Sequence, residues 1–227
     1  MACVLVSCSD DPTDPNPGGG MLTMPKTGST FTYEYVQIDT SNGLPIEASR
    51  KQMVATIGAS GISYAGRDNC VKMSTVDNGT TTDSYFSYPS SGDLDLYQAA
   101  STSGGMRYKW TTIPTKSKGS ITTLLYDTTM MVGPLEYYNS FSVVNEYVGA
   151  ETITLPAGTL EAVRIKQIIK IYMKIGSSLS EQEIEGYFHV APALGVPVKY
   201  DYAIMRKSSS GAPTSGAIME LQSYDLK

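Results

Sequence analysis

The 227-residue chain predicts a mainly β protein, a curved antiparallel sheet that follows a disordered amino-terminal tether. Three observations carry that prediction. Apolar residues recur at every second position over long stretches, the spacing of a pleated strand and not the 3.6-residue spacing of a helix. Tyrosine is abundant, at 16 residues, in company with Thr, Val and Ile, which suit half-buried pleated surfaces. Turn signals built on Asn-Gly, Gly-Pro and Ser-Gly interrupt the alternation at short intervals.

Taken in order, the first strand is marked by Phe31, Tyr33 and Tyr35 alternating with Thr32, Glu34 and Val36. Ser41-Asn42-Gly43-Leu44-Pro45 turns the chain, and residues 46–57 suit either a strand or a short helix. Val71 and Met73 lead to a second turn at Val76-Asp77-Asn78-Gly79, where Asn-Gly tolerates the positive φ of a tight hairpin, and Tyr85 and Phe86 follow. Ser90-Ser91-Gly92 turns into Leu94-Asp95-Leu96-Tyr97, and the small polar stretch 99–105 reads as a loop. Strands are expected over 106–113 and 121–131, separated by Lys116-Ser117-Lys118-Gly119, and Gly133-Pro134 precedes another through Tyr138 and Val144.

Residues 161–175 alternate without interruption. One face carries Val163, Ile165, Gln167, Ile169, Ile171, Met173 and Ile175; the other carries Arg164, Lys166, Lys170 and Lys174 among others. One side therefore meets a core and the other meets water. Such a strand reaches roughly 45–50 Å and must coil with the sheet twist. Shorter strands are expected over 184–190, 198–205 and 218–224, with a loop at 208–213.

The amino terminus reads differently. Leu5-Val6-Ser7-Cys8 is two apolar residues, a small one and a cysteine, and it resembles the lipobox of bacterial lipoproteins. Residues 1–8 then read as the remnant of a signal peptide, with Cys8 as the lipidation site. Ser9-Asp10-Asp11 is similar to the acidic export signal of surface lipoproteins in Bacteroidetes, and equally to an ordinary acidic linker. Residues 9–26 form a flexible Asp, Pro and Gly linker whose first twelve residues could hold a domain about 40 Å from its anchor. Multiple acyl chains on Cys8 would hold the protein stably at a membrane without a spanning segment. Residues 27–227 form a single antiparallel β domain.

Two stretches in that domain carry a resemblance. Thr154-Leu155-Pro156-Ala157-Gly158-Thr159 precedes the long strand, and Tyr187-Phe188-His189-Val190-Ala191-Pro192-Ala193-Leu194-Gly195-Val196 follows it. Together they resemble a group of secreted bacterial proteins whose fold is akin to the LolA/LolB lipoprotein carriers. The resemblance implies an open half-barrel with an apolar concave face. An apolar or lipid-like ligand would then lie against Val163, Ile165, Ile169, Ile171 and Met173.

Other chemistries are weaker. The net charge of -5 and lack of a basic stripe exclude an ordinary nucleic-acid binder. No motif calls for a cofactor or metal, and the cysteine count offers no zinc cluster. The row Glu181, Glu183 and Glu185 shares one strand face and reads as solvated, with calcium as the minor alternative. His189, the sole imidazole, has no nucleophile motif beside it, so no catalytic residue is assigned and the histidine reads as structural. The expected role is non-enzymatic binding in the cell envelope, at the outer membrane, facing the periplasm or the outside. A glycan-binding module using exposed tyrosines, a structural partner of an outer-membrane complex and a hydrolase are the alternatives.

Overall fold

The computed structural model describes residues 21–39, 41–102, 105–116, 118–207 and 216–227. Its strands are β1 (Thr30–Ile38), β2 (Pro45–Tyr64), β3 (Arg67–Asp77), β4 (Thr80–Ser87), β5 (Leu94–Thr102), β6 (Gly105–Ile113), β7 (Ser120–Val132), β8 (Leu135–Leu155), β9 (Gly158–Ile175), β10 (Ser178–Ala191), β11 (Val196–Lys207) and β12 (Gly216–Asp225). They form one antiparallel sheet in the order β6-β5-β4-β3-β2-β1-β12-β11-β10-β9-β8-β7. Every strand lies beside its neighbours in sequence except β6 and β7, and the first and last strands pair with each other. This is the order of an up-and-down barrel cut at a single seam.

The expected curved sheet is present, and its curl brings the two edges together. Across the seam, Lys109 Nζ donates to the Leu124 carbonyl at 2.9 Å and Asn145 Nδ2 donates to the Thr112 carbonyl at 2.9 Å. Side chains, not a backbone ladder, bridge β6 to β7 and β8. The curl has two causes. Strands twist, and bulges add local twist and bend. The later part of β2 holds three register shifts against β3, between Ile57 and Tyr64. In contrast, β9 pairs with β10 from Val163 to Ile175 without a shift, which is why its alternation reads so cleanly from sequence.

The tight turns follow from residues that tolerate positive φ. Asn78 (φ 47°) and Gly79 (φ 78°) make the two-residue β3–β4 turn, as their sequence predicts. Ala65 (φ 45°) and Gly66 (φ 76°) do the same between β2 and β3, although alanine pays a steric cost there.

Three expectations shift. Residues 46–57 are strand throughout, the stretch 99–102 continues β5 and is not loop, and β8 extends well past Val144. The linker expected to end at residue 26 is already bound to the sheet before that point. Thr23 N donates to the Pro192 carbonyl at 2.8 Å, Pro25 is buried, and Leu22 and Met24 pack against the core. Composition misplaced the boundary because Leu22 and Met24 are apolar residues in a linker-like context. Cys3, Cys8, the 9–20 portion of the tether and the 208–213 loop lie outside the described residues.

The core lies inside the curl. Phe31, Ile57, Val71, Leu94, Ile113, Ile165, Val190, Val196, Val198 and Leu221 are almost fully buried in one cluster. Full burial of side chains this size is worth about 1.5–3 kcal/mol each before entropy is counted. A smaller cluster of Leu125 and Val143, flanked by Tyr126, Phe141 and Ile169, sits under β7, β8 and β9.

The outer face carries cross-strand ion pairs. Lys72 meets Asp83 at 2.8 Å, Lys166 meets Glu185 at 3.2 Å, Lys170 meets Glu183 at 3.4 Å, and Lys199 meets Glu220 at 2.7 Å. Arg50 bonds both Glu34 and Glu47. The basic row of β9 and the acidic row of β10 thus oppose each other across the ladder. Exposed pairs of this kind add little stability singly, but they keep the face wet.

Candidate functional site

The inner face is not packed solid. A cavity of about 280 Å³ opens among the strands, and its wall draws on β1 to β6 and β9 to β12. This is near the lower end of the size range of small-molecule sites. Period two explains the wall: each strand contributes alternate residues, so Leu96 and Gln98 of β5, Met73 and Thr75 of β3, and Ser84 and Phe86 of β4 all face in.

The lining is mostly apolar and contains no charged side chain. Met53, Met73 and Met219 come from β2, β3 and β12, and their unbranched thioethers reshape easily around a guest. Tyr33, Phe86 and Phe188 supply rigid ring surface. Tyr33 is sealed at its polar end, since its hydroxyl donates to the Pro197 carbonyl at 2.9 Å and burial holds the phenol well above its ordinary pKa. It therefore stays neutral.

Polar groups gather on one side. Tyr200 Oη donates to Gln167 Oε1 at 3.2 Å, Gln167 Nε2 donates to Asn145 Oδ1 at 2.9 Å, and Asn145 reaches Thr112 across the seam. Gln98 Oε1 accepts from Thr111 Oγ1 at 2.9 Å. A neutral hydrogen-bonding end facing an oily wall suits a small amphiphile without charge, because an ion there would lose its hydration with no counter-ion.

The five residues expected to touch a ligand do not line this cavity. Val163 and Ile165 are buried in the main core, Ile169 packs on the smaller cluster, and Met173 is half-buried farther along β9. Ile171 lines a separate polar groove of about 590 Å³ beside Tyr138, Lys170 and Glu183, where charges and water dominate. The β9 residue that lines the apolar cavity is Gln167, which shares their face. Choosing only apolar residues passed over it. The other lining residues are scattered over nine strands, and no local motif marks them.

His189 lies on the outer face and is 7% exposed. Its Nε2 sits 2.7 Å from Glu151 Oε1, and its strand neighbours are Arg164 and Lys199. Burial lowers its pKa, while the Glu151 carboxylate pulls it partly back. Arg164 in turn lies over the Tyr187 ring at 4.3 Å. This cluster ties β8, β9 and β10 together outside the cavity, which fits the structural reading of the histidine. Among the described residues no group of His, Cys, Asp and Glu gathers as a metal site. Cys70 is buried, its thiol near the carbonyls of Tyr64, Arg67 and Asp68, and burial pushes its pKa up. A thiol held protonated is a poor nucleophile.

No protein-family model and no curated sequence matches the chain. Two crystal structures are similar to it in outline. One is described as a "putative lipoprotein" from Parabacteroides distasonis ATCC 8503, with 14% identity and a TM-score of 0.47, over 88% of this chain and 96% of that one. The other is described as a "putative exported protein with YmcC-like fold" from Bacteroides fragilis NCTC 9343, with 12% identity and a TM-score of 0.44, over 91% of this chain and all of that one.

Proposed function

We propose that this protein is a non-enzymatic, lipid-anchored binder of the bacterial cell envelope that holds a small, uncharged apolar or lipid-like ligand inside its curled sheet. The observation that carries the reading is the cavity: about 280 Å³ of open, methionine-lined, charge-free space against the buried core. A cavity with no role would be a standing cost in lost packing contacts.

The anchor is the other half of the reading. Acylation at Cys8 in Leu5-Val6-Ser7-Cys8 would place the sheet at the end of an acidic leash beside a membrane. The outer face suits that position. Its ladder of Lys, Arg, Asp and Glu pairs is a surface for water, unlike the apolar outer band of a lipid-embedded barrel. The location that goes with this reading is the outer membrane.

Native mass spectrometry tests both halves together. The full chain, expressed in a bacterium behind a complete signal peptide and extracted from envelope fractions, should carry acyl mass on Cys8 and a co-purifying neutral ligand. Unmodified protein in the soluble fraction would remove the anchor. Ligand-free protein whose Met53→Trp form binds added ligand equally well would remove the cavity reading.

A further inference from the structure

On the outer face, opposite the cavity, five aromatic rings from four strands meet. Tyr64 at the end of β2 stacks on Tyr85 of β4 with ring centres 3.6 Å apart and planes 2° from parallel. Tyr97 of β5 meets the edge of Tyr64 at 5.4 Å. Tyr97 also faces Tyr108 at 5.6 Å and Trp110 at 5.0 Å, both on β6. The Trp110 indole is fixed by a hydrogen bond from Nε1 to the Ala65 carbonyl at 3.0 Å. None of these rings is buried, and Tyr108 is 55% exposed.

Cross-strand ring pairs stabilise a sheet, but four half-buried rings beside the exposed Tyr108 also leave apolar ring surface in water, and such a patch marks an interaction surface. The charges around this patch narrow the partner. Arg67 is paired with Asp95 at 3.4 Å, and Lys72, the strand partner of Tyr85, is paired with Asp83 at 2.8 Å. Both of these outer-face cations are thus paired, while Arg107 and Lys109 alternate with the rings along β6 and so belong to its other face. Nucleic acid stacks on aromatic rings too, but it requires unpaired basic groups along the backbone path. A phosphate or sulfate ligand meets the same objection.

We infer that this platform is a second binding site, and that its ligand is a neutral oligosaccharide. The apolar C–H face of a pyranose packs on a ring, while its hydroxyls need donors and acceptors at the rim. Beside the rings lie the phenols of Tyr97 and Tyr108, the Arg67 guanidinium and the Thr112 hydroxyl, which donates to Asp95 at 2.6 Å. Mutual stacking holds the rings in place before a ligand arrives, so little side-chain entropy is lost on binding. The site is distinct from the cavity, since none of the five rings lines it.

The chain contains one tryptophan, Trp110, so its fluorescence reports on this platform alone. The full chain would be titrated with cellohexaose, laminarihexaose, maltohexaose and a mannan oligosaccharide. We expect a saturable emission shift with at least one of them, weakened about tenfold by Tyr108→Ala. Tyr108 is exposed enough for the variant to fold, which circular dichroism checks, and occupancy of the inner cavity should be unchanged. Absence of a saturable shift at about 10 mM with all four sugars would overturn the proposal. So would a shift that Tyr108→Ala leaves intact, or dimerisation of the wild type that Tyr108→Ala abolishes.

Discussion

Gln167 Nε2 donates to Asn145 Oδ1 across 2.9 Å, a polar bond inside a wall of apolar side chains. Its importance lies in where it leads. Asn145 passes the chain on to the Thr112 carbonyl across the seam, and Tyr200 passes it back to the cavity wall. The open edge of the sheet and the proposed binding site are therefore joined by one run of hydrogen bonds, buried at its centre and part-buried at either end. Each member left without its partner would cost more than the bond gained by having it.

Gln167→Leu should thus destabilise the fold by about 1–3 kcal/mol, although it adds apolar surface to an apolar site. The loss falls on Asn145 and Tyr200, which keep their polar groups but lose a partner. A urea midpoint equal to that of the wild type would show that the chain of bonds is not structural.

Gly195 should be intolerant of a side chain. It adopts φ 69°, and an added Cβ would lie 1.8 Å from the Thr23 carbonyl oxygen. Gly195→Ala should cost at least about 2 kcal/mol in thermal or denaturant unfolding. Part of that loss should return when residues 1–26 are also deleted, because the clash with Thr23 is then gone while the backbone strain and a 3.2 Å approach to the Tyr88 ring persist. Equal losses in both backgrounds would argue against docking of the 21–26 segment.

Ile165 and Ile171 share a face of β9 but not an environment. Ile165 is fully buried in the main core, whereas Ile171 is half-buried at a polar groove. Ile165→Ala should cost about 2–5 kcal/mol, and Ile171→Ala about 1 kcal/mol or less. Similar costs would mean that the core continues along the whole strand.

His189 sets a pH dependence. Burial holds its pKa below the ordinary 6.5, with Glu151 acting in the other direction. As the pH falls below that ordinary value, the unfolded chain takes up a proton that the folded chain resists. Stability from this group is therefore full above about pH 6.5 and is lost as the pH drops toward the folded-state pKa. Between about pH 7 and pH 5 the wild type should lose more stability than His189→Gln, with carboxylate effects common to both. A steeper slope in the variant would reverse the sign assigned here.

Much of the fold was legible because period two survives wherever pairing is regular. The uninterrupted β9–β10 register made both faces of β9 readable, and Asn78-Gly79 announced its turn. Where the ladder is irregular, sequence reading failed for a physical reason. The β8 bulge between Tyr147 and Gly149 shifts the alternation, so the second half of that strand did not stand out. The Ala65-Gly66 turn lacks the usual Asn or Asp in first place.

The cavity was less legible. Concavity is a property of the whole sheet, and each strand gives the cavity only one or two residues. The aromatic platform had a partial signal: Tyr108 and Trp110 alternate on β6, and register sets Trp110 opposite Tyr97. Tyr64 and Tyr85 join them only through the twist and bulges of β2, which no local pattern discloses.

The most direct test of the central claim is a titration of the purified chain with the neutral apolar dye N-phenyl-1-naphthylamine, followed by competition with a medium-chain monoacylglycerol. Occupancy of the inner cavity predicts saturable dye fluorescence at one site per chain, displacement by the lipid, and loss of both in the Met53→Trp/Met219→Trp double variant, whose indoles fill the space. Dye binding that is unsaturable, or that survives unchanged in the filled variant, would contradict the account.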